Sequence, residues 1–260
     1  MSTEALPSER HARILQQLQN EGRVLSAALA VQFGVSEDSI RRDLRDLSAQ
    51  GLCRRVHGGA LPVTPQYAPL HERHDQAASR KHALARCAVA QLGAGQSLLL
   101  DAGSTNSALA SALPPGAALQ VVTNAPDIAL RLLDHPGPEV TLLGGRLHKR
   151  SGALLGAQAL QALQMLRADI ACVGVCAIDV AGGLWAIDAE EAVLKREMRA
   201  RADRHLVVVA NEKLGAVASF RIGELDERSI LVCEHDAPAA FVDALQARGL
   251  QVLRAPAATA

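Results

Sequence analysis

Aromatic side chains are nearly missing from this 260-residue sequence, which has three Phe, one Tyr and one Trp, 2% of the whole. Its core must therefore be aliphatic, and a single-strand binder built on base-stacking platforms is excluded. Net charge is missing too, with 27 acidic residues against 27 basic ones. That excludes a non-specific polyanion binder but leaves room for a local basic patch. The five cysteines (Cys53, Cys87, Cys172, Cys176 and Cys233) are odd in number and contain no Cys-x-x-Cys pair. Neither a disulfide framework nor a zinc ribbon follows, and buried reduced thiols are expected. His71-Glu72-Arg73-His74 lacks the i,i+4 histidines of a helical zinc motif, so no metal and no cofactor is expected. No apolar run approaches membrane-spanning length, and the polar stretch Ser2–Arg13 has no signal-type apolar region. The expected location is the cytoplasm, away from membranes. Apolar residues make up 49%, enough for one large or two smaller domains with a real core.

The most informative stretch is Ser36–Gln50. Ser36 is a good N-cap. Ile40, Leu44 and Leu47 recur at helical spacing and face one way. The opposite face carries Asp38, Arg42 and Arg45, flanked by Ser39, Arg41 and Asp46. A short helix with one anchored apolar stripe and three arginines outside it suits a DNA major groove. Its surroundings fit the same reading. A helix over Ser8–Asn20 stops near Gly22. Val24-Leu25 is a short extended bridge, and Ser26 is placed to cap a second helix with Leu29, Ala30 and Phe33 inward. Gly34-Val35 is then the tight turn of a helix-turn-helix. After Gly51, the run Leu52–Ala60 reads as a small β-hairpin wing, with Arg54, Arg55, His57 and Gly58 near the phosphate backbone.

Phe33-Gly34-Val35-Ser36, Ile40-Arg41-Arg42-Asp43-Leu44, Gly51-Leu52 and His57-Gly58-Gly59-Ala60, in that order, resemble the DNA-binding signature of the DeoR family of bacterial transcriptional regulators. The expected domain spans residues 1–60. A proline-marked extended linker is expected from Leu61 to Leu70, within a connector over residues 61–79. Arg73 and Lys81 match family positions where the effector domain begins.

From residue 80 to 260, helical segments alternate with short apolar strands, which implies a mostly parallel sheet covered by helices. Ligands in such sheets bind beyond the carboxyl ends of strands. After the first strand comes Asp101-Ala102-Gly103-Ser104-Thr105-Asn106, where helix-start amides, a glycine and two hydroxyls make an anion cradle. It is not a Walker A loop. Thr123-Asn124 follows the second strand and Gly144-Gly145-Arg146 the third. Lys213 follows a later one, in Ala210-Asn211-Glu212-Lys213-Leu214. Glu191 and Lys195 are spaced as a surface i,i+4 pair; Lys195 is assigned to that role and Glu191 kept as a site candidate.

Asp-Ala-Gly-Ser-Thr, Val-Thr-Asn, Leu-Gly-Gly, Asp169 with Gly174, Glu190-Glu191-Ala192 and Lys213 extend the resemblance to the family's effector domain, which is similar in fold to ribose-5-phosphate isomerases. The resemblance implies a phosphorylated sugar or polyol effector. Its phosphate would lie on Asp101–Asn106, including Gly103, Ser104 and Thr105. Its hydroxyls would meet carboxylate and amide groups, with Thr123, Asn124, Gly145 and Glu191 as further effector-site candidates and Lys213 close by. Three positions depart from the family pattern. Ala210 stands where an aspartate is usual, Ala177 replaces a common glycine, and Trp185 replaces a threonine.

The expected function is a ligand-responsive DNA-binding transcriptional regulator, a repressor by family, and not an enzyme. Ser36, Ser39, Arg41, Arg42 and Arg45 would meet double-stranded operator DNA from the helix. One such module reads few base pairs, so a homo-oligomer, dimer or tetramer, is expected. An isomerase-like enzyme with a DNA-binding appendage is the alternative. A DNA-binding protein without a ligand would leave the anion loop unexplained; the departures from the family pattern also leave open an effector domain that has drifted to serve mainly for dimerisation.

Overall fold

A computed structural model of the chain describes residues 7–21, 24–50, 52–62, 68–179 and 181–258. Gly22, Gly51, the Arg54 side chain and residues 63–67 of the expected linker lie outside the described residues. The chain divides into a first compact unit, essentially residues 1–65, and a second that starts at Gln66.

The first unit runs α1 (Pro7–Glu21), β1 (Val24–Leu25), α2 (Ser26–Phe33), α3 (Glu37–Ala49), β2 (Cys53–Val56) and β3 (Gly59–Pro62). The three strands form one antiparallel sheet in the order β1-β3-β2. Its core is the aliphatic stripe the periodicity defines: Ile14, Leu18, Leu29, Ile40, Leu44 and Leu47 are fully buried, each worth roughly 2 kcal/mol. Gly34 ends α2 in the left-handed conformation, as a tight turn requires. Ser36 caps α3, its Oγ accepting from the Ser39 N–H at 3.2 Å, a contact of about 1 kcal/mol. Ser26 is not a cap. It is the first residue of α2 with Leu25 in the cap position, and its own N–H donates to the Gly58 carbonyl at 2.8 Å. Leu61 and Pro62, expected in an extended linker, belong to β3 instead.

The second unit begins with α4 (Leu70–Asp75) and α5 (Ala78–Val89), so residues 70–75 and 78–79 of the expected connector are helical. It continues with β4 (Ser97–Leu100), α6 (Ser104–Ser111), β5 (Gln120–Thr123), α7 (Pro126–Leu132), β6 (Glu139–Leu142), β7 (Arg146–His148), β8 (Ala153–Leu155) and α8 (Ala157–Gln164). Next come β9 (Ala168–Cys172), β10 (Ala177–Ile178), β11 (Gly183–Ala186), α9 (Ala189–Ala200) and β12 (Ala202–Val208). A 3-10 turn (Asn211–Lys213), β13 (Phe220–Glu224), β14 (Ser229–Cys233), α10 (Ala239–Gln246) and β15 (Gln251–Arg254) complete it.

Seven strands make one parallel sheet in the order β15-β14-β12-β9-β4-β5-β6. Its central strands, such as Leu98–Leu100 and Ile170–Cys172, are apolar throughout because helices cover both faces. The chain passes from β4 to β5 and β6 on one side, then returns to β9 and moves outward on the other. That reversal opens a crevice between the carboxyl ends of β4 and β9, where open α/β sheets bind ligands. Two features were not anticipated: the β7–β8 hairpin and a small antiparallel sheet β10-β11-β13. Their strands, two to five residues long, are too short to show a period. Leu155 is the last residue of β8 and is separated from α8 by one residue.

Candidate functional site

On the first unit, α3 presents Arg41, Arg42 and Arg45 to solvent, with Arg55, His57 and Gly58 exposed on β2 and its turn. These cations are not equivalent. Arg41 is committed to Glu37 at 2.8 Å and Asp38 at 3.1 Å. Arg42 and Arg45 have no such partner among the described residues, so they are the readier to meet a polyanion. Ser36 and Ser39 are occupied with each other, Oγ to Oγ at 3.0 Å, in the cap. Behind this face, Asp43 is 5% exposed. Its carboxylate accepts from Arg10 Nε at 2.6 Å and Nη2 at 3.0 Å, and lies 3.0 Å from His11 Nε2. Burial alone raises the Asp43 pKa, but Arg10 and His11 outweigh it and hold the carboxyl below its usual range. The pair clamps α1 to the inner side of α3 and so fixes how the outer arginines are presented.

On the second unit, a cavity of about 160 Å³ lies at the β4–β9 crevice. Its floor is the loop opening α6. Gly103 holds the N-cap position with no side-chain cap, so the amides of the first turn face the cavity. Ser104, Thr105 and Asn106 continue this wall; Cys176 lines the cavity beyond β9, and Lys213 lines it from the 3-10 turn. Glu191 and Lys195 enter from α9, His148 and Ser151 from the β7–β8 hairpin, Ala68 from the approach to α4 and Arg73 from α4 itself.

A buried polar chain supports these walls. Lys195, 4% exposed, donates to Asp101 Oδ2, and its Nζ lies 3.7 Å from Glu191 Oε2. Burial opposes its charge, but the Asp101 and Glu191 carboxylates more than reverse that and raise its pKa. Glu191 Oε1 lies 3.4 Å from His148 Nδ1, which is 2.8 Å from Ser151 Oγ. Lys213 donates to the Val175 carbonyl at 2.8 Å. Burial is the main cause of its pKa being pushed down to about 8, with Cys176 opposing the shift and Arg73 adding to it.

The expected effector residues therefore separate into two layers. Gly103, Ser104, Thr105, Glu191 and Lys213 line the cavity. Asp101, Thr123 and Asn124 lie behind the wall, 1% exposed or less. Asp101 is fully engaged, accepting from the Gly174 N–H at 2.9 Å, Asn124 Nδ2 at 3.2 Å and Lys195. Asn124 also accepts from the Ala102 N–H at 3.0 Å, and Thr123 donates to the Leu100 carbonyl at 2.6 Å. Gly145 is off the cavity, packed so tightly that a Cβ there would lie 2.6 Å from the Leu155 carbonyl oxygen. Gly174 is a glycine by necessity, since its Cβ would come within 2.9 Å of the Ala102 oxygen and 3.1 Å of Asp101 Oδ2.

Lys195 is the main correction: it is no surface partner of Glu191 but the buried counter-ion of Asp101. The sequence held a signal for this. Lys195 falls on the same stripe as Ala192 and Met198, three residues to either side, which is the buried face of α9. His148 and Ser151 carried no signal, because they sit on the unanticipated hairpin. The three family departures do not reach the cavity. Trp185 donates to Asp179 at 2.8 Å, Ala177 is buried in β10, and Ala210 is buried before the 3-10 turn.

A helix-turn-helix head and an α/β unit with a small cationic receptor cavity define a ligand-responsive DNA-binding regulator. The comparisons agree. The DeoR-like helix-turn-helix domain matches residues 10–66 and the DeoR C terminal sensor domain matches residues 76–235. The chain belongs to the DeoR family of transcriptional regulators, a family of DNA-binding proteins and not of enzymes. It is 32% identical over 250 residues to the HTH-type transcriptional regulator GlpR of Haloferax volcanii, covering 95% of this chain and 98% of that one. It is 30% identical over 246 residues to the glycerol-3-phosphate regulon repressor of Escherichia coli K12, covering 94% and 98%. A distant likeness in shape links 53% of the chain to 54% of ribose 5-phosphate isomerase A from Methanocaldococcus jannaschii, at TM-score 0.39 and 16% identity. No helix among the described residues is long and apolar enough to cross a membrane.

Proposed function

We propose that this regulator is a cytoplasmic repressor of genes for carbohydrate or polyol phosphate metabolism, released from its operator by a small phosphorylated effector. The observation that carries this is the cavity itself: uncapped helix amides, Lys195 and Lys213 beside the Glu191 carboxylate, with the second lining carboxylate, Asp188, engaged in capping α9. Amides and ammonium groups suit a phosphate, and a fixed carboxylate suits hydroxyls. The printed names of the relatives, a glycerol-3-phosphate regulon repressor among them, point the same way. In this reading Arg42 and Arg45 contact DNA first, with Arg41, Ser39, Arg54, Arg55 and His57 around them. Asp101, Thr123 and Asn124 position the wall without touching the ligand. The division of labour is residues 1–60 for DNA, 61–79 as connector and 80–260 for effector binding and self-association. A dimer or tetramer presents two reading heads to repeated half-sites.

The test is a thermal-shift screen of glycerol 3-phosphate and sugar phosphates, followed by an operator-release assay. A binder at a hundredfold excess over its Kd raises the midpoint by roughly 5–10 °C. Ser104→Ala with Thr105→Ala should keep operator binding and lose both the shift and the release. Release unaltered in that double variant removes the cavity from the effector reading.

A further inference from the structure

A second and larger cavity, about 610 Å³, lies against α6, within the size range of small-ligand sites, roughly 300–1,000 Å³. Ser104 borders both cavities. Three fixed cations face the second one: Lys81 from α5, Arg86 one turn further along α5, and Arg131 from α7. His74 and His82 flank them, and Asp75 is the only carboxylate lining it among the described residues. None of Lys81, Arg86 and Arg131 has a carboxylate at ion-pair distance among the described residues. Arg86 and Arg131 are exposed and by themselves would be ordinary solvated side chains. Lys81 is not, being only 7% exposed and donating from its ammonium to the Arg73 carbonyl. Burial, with Arg73 adding, pushes its pKa below the usual range. An ammonium buried this far is normally paired with a counter-ion.

The contrast with another arginine-rich groove is instructive. There Arg199 and Arg228 face Asp226, and Arg221 faces Glu224, so three of the four lining arginines have a carboxylate of the protein beside them. Beside α6 the carboxylates, Asp75 on the lining and Asp127 at 3.4 Å from His74, form no ion pair with Lys81, Arg86 or Arg131 among the described residues. We propose that this cleft is a second anion site, separate from the effector cavity, for a small multiply charged phosphate compound held by Lys81, Arg86 and Arg131. Three convergent cations match two linked phosphates better than a single one, and the hydroxyls of Ser79 and Ser104 stand on the same lining. This does not depend on the identity of the effector.

Inorganic pyrophosphate is the probe, titrated against the full chain with amide hydrogen exchange as the readout. Protection is expected in residues 78–86 and 127–133. In Arg86→Gln/Arg131→Gln, whose substitutions are on exposed side chains, the apparent affinity should fall about tenfold or more. Lys213→Met, a change in the effector cavity, should leave that protection in place. Protection confined to residues 102–106 and 188–195, or to the DNA-reading face over 36–57, overturns the proposal. So does unaltered affinity in the double arginine variant, or no protection at millimolar pyrophosphate.

Discussion

Each unit buries an ion pair, and the two pairs do different things. In the first, Arg10 and Asp43 have side chains 9% and 7% exposed, and the carboxylate is shared with His11. The pair joins two helices. In the second, Lys195 and Asp101 are 5% and 1% exposed, and the ammonium reaches on toward Glu191, which faces a cavity. The first is an internal clamp whose product is the pose of α3. The second is the back layer of a cavity wall. Burial of charge is therefore common to structure and function here; what marks function is a polar chain that ends at open space.

Breaking the second pair should have the largest effect. Asp101→Asn leaves the Lys195 ammonium buried with Glu191 only at 3.7 Å, and removal of one partner from a buried pair costs roughly 3–5 kcal/mol. Urea unfolding of the second unit, followed by amide exchange in β4 and β9, measures it. Asp101→Leu with Lys195→Met removes both charges and should recover much of that stability while the effector response stays lost. Recovery of the response in that double variant would make the pair a plain structural clamp, like the first.

The clamp in the first unit comes next, at about 3 kcal/mol for Asp43→Asn, because Arg10 is slightly more exposed than Lys195 and keeps some solvent. Its pH dependence has a definite sign. The folded pKa of Asp43 is depressed, so its contribution is fully present above the unfolded value near 3.8 and is lost as pH falls through the folded value. Acid unfolding of the first unit should thus be less steep in Asp43→Asn, and amide exchange along α3 between about pH 2 and pH 5 reports it. An unchanged acid profile removes the clamp from the account.

The contrast also explains what could be read from the chain. Ile40, Leu44 and Leu47 declared their helix because the period of α3 is carried by side chains that only packing can satisfy. That the candidate loops lie beyond the carboxyl ends of strands followed from the alternation of apolar strands and helices; that β4 and β9 flank the crevice did not, because strand order has no local signature. The side chains of the site were harder. Asp101 was read as a ligand contact because sequence shows that a carboxylate follows a strand, not whether it points out or back. Lys195 was read as a surface partner of Glu191 because a lysine is normally solvated, although its stripe said otherwise. His148 arrives on a hairpin whose strands are too short to have a pattern. The Arg10–Asp43 pair joins residues 33 apart, a tertiary contact with no local signature.

The smallest expected effect concerns Lys213, the charge that meets the cavity rather than supporting it. Its pKa, pushed down to about 8 chiefly by burial, means that a neutral amine is accessible at mildly alkaline pH. A bound anion favours the ammonium and so raises that pKa in the complex. Affinity is therefore highest when Lys213 is already charged, below 8, and falls as pH rises through it. A phosphate monoester becomes a dianion above about pH 6, so effector binding should be strongest between those limits. From pH 7 to pH 9 the Kd for a phosphorylated effector should weaken by roughly threefold to tenfold. Lys213→Arg, charged throughout this range, should flatten the profile. A wild-type profile already flat would assign the anion to Lys195 and the α6 amides alone. A decline that persists in Lys213→Arg would move the titrating group elsewhere in the cavity.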